Sequence, residues 1–130
     1  MIIDTSALIA ILFDEADAAS YEAAIATAAV RRISSVSVLE AGMVLESRYG
    51  EAGSLELDRL LHRARIEVAD FTADQADVAR RAFRRFGKGR HRAGLNFGDC
   101  ASYALSKTAG EPLLAKGNDF SLTDLECISL

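Results

Sequence analysis

Cysteine and histidine are scarce in this sequence, and their scarcity excludes several kinds of functional site. Only two of the 130 residues are cysteines and two are histidines. Cys100 and Cys127 form no Cys-x-x-Cys pair and have no histidine at metal-site spacing, so we expect neither a structural zinc site nor a disulfide scaffold. His62 and His91 lie among arginines without an identifiable triad motif, which predicts that both are surface residues. Reduced thiols favour a cytoplasmic location.

Long apolar runs are absent as well. Residues 1–13 are apolar enough to suggest a signal peptide, but Asp4 interrupts them, no lysine or arginine precedes them, and the acidic Asp14 and Glu15 follow. No uninterrupted apolar stretch approaches the roughly 20 residues needed to cross a bilayer. We therefore expect a soluble protein that is neither exported nor inserted in a membrane.

Proline is also rare, at one residue, whereas hydrophobic residues make up 50% of the chain. This composition is typical of a globular domain and not of a disordered or low-complexity segment. A single core commonly takes roughly 100 to 150 residues. The sequence therefore predicts one domain over residues 1–130.

Short apolar segments alternate with helical ones, which predicts an α/β fold with a largely parallel sheet. The predicted strands are residues 2–3, 32–36, 66–69, 113–115 and 127–130. The predicted helices are residues 7–13, 15–29, 37–49, 55–65, 72–86 and 99–107. Gly50 and Gly53 should break the chain between the third and fourth helices, and residues 87–98, with four glycines, should form a loop. Functional groups in such sheets collect where the strands end.

Three acidic residues stand at or near predicted helix entrances, and each has a simple structural interpretation. Asp4 follows the first strand and can cap the next helix. Ser37-x-x-Glu40 has the spacing of a capping box, and Asp99 can also be a cap. Together, however, they could meet at a sheet edge. Two carboxylates about 4 Å apart repel by roughly 4 kcal/mol at an effective dielectric near 20, so such a cluster takes up protons or a metal ion. Oxygen ligands without histidine or thiolate select Mg²⁺ or Mn²⁺.

Four sequence segments contain or adjoin the acidic residues. They are Ile-Ile-Asp-Thr-Ser-Ala-Leu around Asp4, Ser-Val-Leu-Glu-Ala around Glu40, Leu-Asn-Phe-Gly-Asp-Cys-Ala-Ser-Tyr-Ala-Leu-Ser around Asp99, and the tail Glu-Pro-Leu-Leu-Ala-Lys-Gly-Asn-Asp-Phe. These segments resemble those of PIN-domain proteins, specifically the VapC toxins of bacterial toxin-antitoxin pairs. The resemblance spans the whole chain, and its last two segments are the most specific. It implies a three-layer α/β/α PIN domain with a largely parallel central sheet.

The resemblance also implies roles for individual residues. Asp4, Glu40 and Asp99 correspond to the metal-binding acids of the family, and Asp119 is assigned as the fourth. Many relatives have two adjacent acids in the tail, whereas this chain has Asn118 before Asp119, so a turn-forming Asn-Asp pair is the alternative. Ser6 corresponds to a supporting hydroxyl near the first acid, and a first-turn hydroxyl that bonds to backbone is the alternative.

The implied activity is that of a Mg²⁺- or Mn²⁺-dependent endoribonuclease that hydrolyses RNA through metal-activated water, leaving 5′-phosphate and 3′-hydroxyl ends. The family further implies the role of a toxin, a cognate VapB-type antitoxin as partner and a homodimer. The alternative is a catalytically inactive PIN-like scaffold that acts by binding an antitoxin-like protein. A phosphatase of the haloacid-dehalogenase kind is disfavoured because it requires a second acid where this chain has Ser6.

Net charge is −4, yet one region is strongly basic. Its residues are Arg80, Arg81, Arg84, Arg85, Lys88, Arg90, His91 and Arg92. Charges more than about 10 Å apart are largely screened at ordinary salt, so a local basic surface can act on RNA although the total charge is negative. We predict that Arg84, Lys88, Arg90 and Arg92 bind the RNA backbone. The alternative is a solvated helix face opposite Phe83 and Phe86.

Overall fold

A parallel four-stranded sheet with six α-helices packed around it organises the chain in the computed structural model, which describes all 130 residues. In chain order the elements are β1 (Ile2–Ile3), α1 (Thr5–Leu12), α2 (Ala18–Thr27), β2 (Arg32–Ser34), α3 (Ser35–Tyr49), α4 (Glu51–Arg63), β3 (Glu67–Ala69), α5 (Ala73–Phe86), α6 (Phe97–Ala109) and β4 (Leu113–Leu114). A short 3₁₀ helix, Phe120–Leu122, follows β4. None of the helices has both the length and the apolar character needed to cross a membrane.

The strand order is β3-β2-β1-β4, and every neighbouring pair is parallel. In the register, Ile2 pairs with Arg32 on one side and with Leu113 on the other. The chain therefore winds outward from β1 in both directions, and the sheet order reverses at β1. In open parallel sheets the crevice at the carboxyl ends of the strands beside such a reversal is where functional groups collect.

Each face of the sheet has its own hydrophobic core, because successive residues of a strand point to opposite sides. Ile3 and Leu114 face a core built with α1, α2, α3 and α4. Ile2 and Leu113 face a second core, built with α5 and α6. All four side chains are fully buried. Helices thus cover both faces, which confirms the predicted three-layer α/β/α fold.

The prediction of a fifth strand at residues 127–130 is wrong. Cys127 makes one isolated bridge with Leu113, supported by hydrogen bonds from Leu113 N to Glu126 O and from Ile128 N to Leu113 O, both 2.9 Å long. The partner strand β4 has only two residues, so it offers too few backbone groups for a longer ladder.

Gly50 and Gly53 were both predicted to break the chain, and only Gly50 does so. Gly50 separates α3 from α4 with φ +67°, a conformation that favours glycine. Gly53 instead lies inside α4, and a Cβ at this position would stand 2.5 Å from the Leu45 carbonyl oxygen of α3. Gly53 therefore permits the close approach of two helices.

Candidate active site

Asp4 lies directly after the central strand β1, at the carboxyl edge of the sheet, with only 4% of its surface exposed. Asp4 is the N-cap of α1, as predicted from its position after the first strand. Its Oδ2 accepts hydrogen bonds from Ser6 N at 3.0 Å and from Ser6 Oγ at 2.7 Å. Oδ1 accepts a third bond, from Ser102 Oγ at 2.6 Å. Both oxygens of a buried carboxylate are thus held by donors, which fixes its orientation.

Ser102 and Ser37 were not predicted as site residues. Ser102, on α6, is 1% exposed, and its Oγ lies 3.2 Å from Ser37 Oγ on α3. Because the Ser102 proton is donated to Asp4, Ser37 is the donor of this second bond. The available signal in the sequence was spacing: Ser102 follows Asp99 by three residues, so both lie on one face of a helix.

Ser6 connects the first acid to the loop after β4. Its Oγ donates to Asp4 and accepts a hydrogen bond from the Lys116 backbone N at 2.9 Å. The Lys116 ammonium in turn pairs with Glu15 and, at 3.0 Å, with Asp17. The predicted supporting hydroxyl therefore bonds both to the carboxylate and to backbone.

Asp99 is the third residue of α6 and forms a capping box with Asn96. Asp99 N donates to Asn96 Oδ1 at 2.9 Å, and Asn96 N donates to Asp99 Oδ2 at 3.0 Å. Burial raises the pKa of Asp99 to about 6, the Asn96 hydrogen bond opposes that rise, and the negative charges of Asp4, Glu40 and Asp119 add to it. The four predicted acids are therefore close enough to interact electrostatically.

Glu40 lies inside α3, and its interpretation as part of a capping box is wrong. The N-cap of α3 is Ser34, whose side chain accepts from Val36 N at 3.2 Å. The Glu40 carboxylate packs against the backbone of Gly98, where any added Cβ would overlap its oxygens. A glycine next to Asp99 thus lets the second acid approach the first turn of α6.

Asp119 stands in the exposed segment that leads into the 3₁₀ helix, and its side chain makes no capping hydrogen bond there. Its backbone carbonyl accepts from Leu122 N at 3.2 Å, and the Asn118 carbonyl accepts from Ser121 Oγ at 2.6 Å. The Asn-Asp pair therefore forms a turn through its backbone and leaves the Asp119 carboxylate available.

The four acids approach one another without forming a finished metal-binding group. No three acidic, histidine or cysteine side chains are arranged closely enough to hold an ion. Such a spacing is consistent with the effect of the other three acids on the pKa of Asp99, because electrostatic repulsion acts over longer distances than metal coordination. Hydrogen bonds from Ser6, Ser102 and Asn96 hold the side chains of Asp4 and Asp99 in place.

The four residues predicted to bind RNA, Arg84, Lys88, Arg90 and Arg92, are all exposed. None has an acidic partner within 4.0 Å, whereas the neighbouring Arg85 pairs with Asp124 at 3.5 Å. The chain thus presents uncompensated positive charge from the end of α5 to the start of α6.

The expectation that both histidines are surface residues holds only for His62. His91 is half-buried: its Nδ1 accepts from Ala93 N at 3.0 Å, and its ring packs edge-on against Phe86 with centroids 5.2 Å apart. It stabilises the basic loop from within.

Sequence comparisons relate the chain to a family along nearly its whole length. The PIN domain family matches residues 1–125. A protein named Ribonuclease VapC from Mycolicibacterium smegmatis is 59% identical, covering 98% of this chain and 99% of the relative. Ribonuclease VapC30 from Mycobacterium tuberculosis is 55% identical over all of this chain and 99% of its own length.

Solved structures have the same fold at low sequence identity. VapC20 from Mycobacterium tuberculosis, described as a toxin that cleaves the sarcin-ricin loop, aligns with a TM-score of 0.80 at 21% identity over 98% of this chain and 97% of its own. VapBC2 from Rickettsia felis, bound to a DNA fragment from its promoter, aligns with a TM-score of 0.77 at 15% identity over 99% and 97% of the two chains.

Proposed function

The chain belongs to the VapC ribonucleases of the PIN-domain family, and from this premise we propose that Asp4, Glu40, Asp99 and Asp119 form the active site of a divalent-metal-dependent endoribonuclease. One observation supports this assignment above all: the first two turns of α6 bring together three acids that are far apart in sequence. Asp99 lies in the first turn, Glu40 packs on Gly98 of the same turn, and Ser102, one turn later, binds Asp4.

The donor set fits a hard cation by its chemistry. Its four members supply carboxylate oxygens alone, which Mg²⁺ and Mn²⁺ prefer over the softer ligands that select zinc. A bound cation would act as a Lewis acid that activates water and offsets the charge of the scissile phosphate. Burial and the nearby negative charges raise the pKa of Asp99 to about 6, and a bound cation would offset both effects.

The surrounding residues would orient the acids. Ser6 and Ser102 hold the two oxygens of Asp4 in place, so that this carboxylate needs no reorganisation when substrate arrives. Asn96 holds one oxygen of Asp99 and leaves the other free. Gly98 keeps Glu40 within reach of the same turn.

Cleavage that depends on these acids is tested with Asp4→Asn, because asparagine can still cap α1 and the variant should remain folded. We expect the wild-type protein to generate new RNA ends only when Mg²⁺ or Mn²⁺ is present, and the variant to generate none. Asp58→Asn, an exposed acid on α4, is the matched control and should cut normally. If wild type cuts no RNA with either metal yet binds an antitoxin, the inactive-scaffold alternative replaces this proposal.

The RNA backbone would lie along Arg84, Lys88, Arg90 and Arg92. Each cation that neutralises a phosphate releases counterions, so binding should weaken steeply as salt increases. The doubly substituted Arg90→Ala, Arg92→Ala protein should bind RNA more weakly and with a flatter salt dependence. An unchanged slope would remove both arginines from the RNA interface.

Family membership also supports the biological role of a toxin held inactive by a VapB-type antitoxin. We propose a homodimer in the cytoplasm, where RNA is available and the free thiols of Cys100 and Cys127 stay reduced. Co-purification with a candidate VapB-type antitoxin, followed by sedimentation of the protein alone, tests the partner and the dimer separately.

A further inference from the structure

An open groove lies between α5 and α6, on the side of α6 away from Asp4. It has a volume of about 530 Å³, within the roughly 300–1,000 Å³ of small-ligand pockets. We define the aromatic-arginine groove by six of its lining residues: Phe71, Phe83, Phe97, Arg80, Arg84 and Arg90. We propose that this groove binds an unpaired nucleobase of the RNA by stacking, and so fixes the position of the strand relative to the cut. The proposal rests on the ribonuclease function proposed above.

The lining has the chemistry of a base-stacking site. Proteins that bind single-stranded nucleic acid stack bases on aromatic rings and on arginine guanidinium planes. Phe97 is 82% exposed, the largest exposed fraction among the chain's exposed large hydrophobic residues. Arg90 already lies over the Phe83 ring, 5.5 Å from its centroid, so a guanidinium and a ring face each other at the mouth of the groove.

The charges at the rim favour RNA over a protein occupant. Arg84 and Arg90 have no acidic partner within 4.0 Å, and Arg80 has only a loose, exposed pair with Asp77 at 3.9 Å. The apolar side chains of the groove can contact a base, and the unpaired arginines can contact the negative phosphates on either side of it. A second copy of this chain would have to bring acids to the same rim.

The position of the groove sets the distance between the bound base and the cut. Phe97 and Ala101 line the groove, whereas Asp99 and Ser102 lie on the opposite side of the same helix. The two sites are therefore separated by about 10 Å, the width of a helix. A stacked strand advances roughly 3.4 Å per nucleotide, so the bound base lies about three nucleotides from the scissile phosphate.

The absence of tryptophan from the chain provides a direct test. The Phe97→Trp substitution, made together with Asp4→Asn so that the RNA stays intact, introduces a single tryptophan at the groove. Its fluorescence is titrated with a short single-stranded RNA of mixed sequence and with a ribose-phosphate oligomer of equal length that lacks bases. Leu55→Trp, at an exposed position on α4 outside the groove, is the matched control.

We expect RNA to quench the Phe97→Trp fluorescence, while the baseless oligomer leaves it unchanged and Leu55→Trp responds to neither. Phe97→Ala should weaken RNA binding roughly 5- to 150-fold, the ratio that corresponds to one lost stacking contact, with little effect on the baseless oligomer. Because Phe97 is so exposed, these substitutions should leave the fold intact.

Equal responses to both oligomers, or none to RNA, would overturn the base site. So would fluorescence that changes with protein concentration in the absence of RNA while sedimentation shows a dimer, because a second copy would then fill the groove. Wild-type cleavage is assayed in parallel. Cleavage without base-dependent quenching rejects the base site alone, whereas quenching without cleavage rejects the ribonuclease assignment alone.

Discussion

Replacing Ser102 by alanine removes the donor that binds one oxygen of a buried carboxylate. The Ser102 Oγ to Asp4 Oδ1 bond is 2.6 Å long, and both residues are buried. Hydrogen bonds to charged groups contribute about 1.5–3 kcal/mol, and no water replaces a donor at a fully buried position. We expect Ser102→Ala to lower the free energy of unfolding by about 1.5–3 kcal/mol in urea denaturation without metal.

A second buried serine on the same helix provides the control. Ser106 Oγ also donates over 2.6 Å, but to the neutral backbone carbonyl of Glu111. Ser106→Ala removes the same atom from α6 and should cost only about 0.5–1.5 kcal/mol, the range of neutral hydrogen bonds. The difference in the free energy of unfolding between the two variants therefore reports how much stronger the hydrogen bond to the Asp4 carboxylate is than one to a neutral carbonyl.

A double-mutant cycle tests whether the carboxylate of Asp4 accounts for the cost of Ser102→Ala. In an Asp4→Asn background the acceptor is uncharged, so Ser102→Ala should cost less than in the wild type. RNA cleavage should also fall in the single variant, since Asp4 keeps only its bonds to Ser6. If Ser102→Ala costs no more than Ser106→Ala and leaves cleavage unchanged, Ser102 does not orient the carboxylate.

Gly98, Asp99 and Gly53 each make a contact that a single substitution can test. Gly98→Ala should abolish most RNA cleavage, because the new methyl group would displace Glu40. The midpoint of urea unfolding of this variant should change little, since alanine favours the helix over glycine by about 1 kcal/mol. In the metal-free protein the pKa of Asp99 is raised from 3.8 to about 6, so the folded state binds this proton more tightly than the unfolded state does, and stability should fall as the pH rises from 4 to 6. Asp99→Asn should flatten that fall and raise the free energy of unfolding at pH 7 by roughly 1–2 kcal/mol, after discounting for solvent screening. Equal pH profiles for the variant and the wild type would refute this. Gly53→Ala should cost roughly 1–3 kcal/mol because its methyl group would meet a backbone carbonyl at 2.5 Å, whereas Gly42→Ala, with one side-chain contact at 3.8 Å, should be tolerated in the same denaturation assay.

The sheet could be predicted from the sequence where local signals agreed. The apolar pair Ile2-Ile3 followed by a capping acid predicted β1 and a helix after it, and both are confirmed, although α1 begins at Thr5 and not at residue 7. The predicted membership of the VapC ribonucleases is confirmed as well. The assignment of Asp4, Glu40, Asp99 and Asp119 to a metal site remains a prediction, although the four acids do approach one another.

The errors arose where tertiary contacts decide the outcome. Residues 127–130 are apolar enough for a strand, but the length of β4 limits what can pair there. Gly53 has the local character of a helix breaker, and only its contact with Leu45 explains its place inside α4. Ser37 has the spacing of a cap, yet its hydroxyl bonds to Ser102, which is 65 residues away. No local pattern contains that information.

The hydrogen bonds around Asp4 also determine when during synthesis the candidate active site can form. Asp4 is among the first residues made, but its partner Ser102 and the Lys116 amide that binds Ser6 are translated in the last quarter of the chain. Asp99 comes equally late. A nascent chain that ends at Leu95 therefore lacks Asp99 and the residues that hold Asp4 and Ser6 in place. The arrangement of acids around Asp4 can form only when translation is nearly finished.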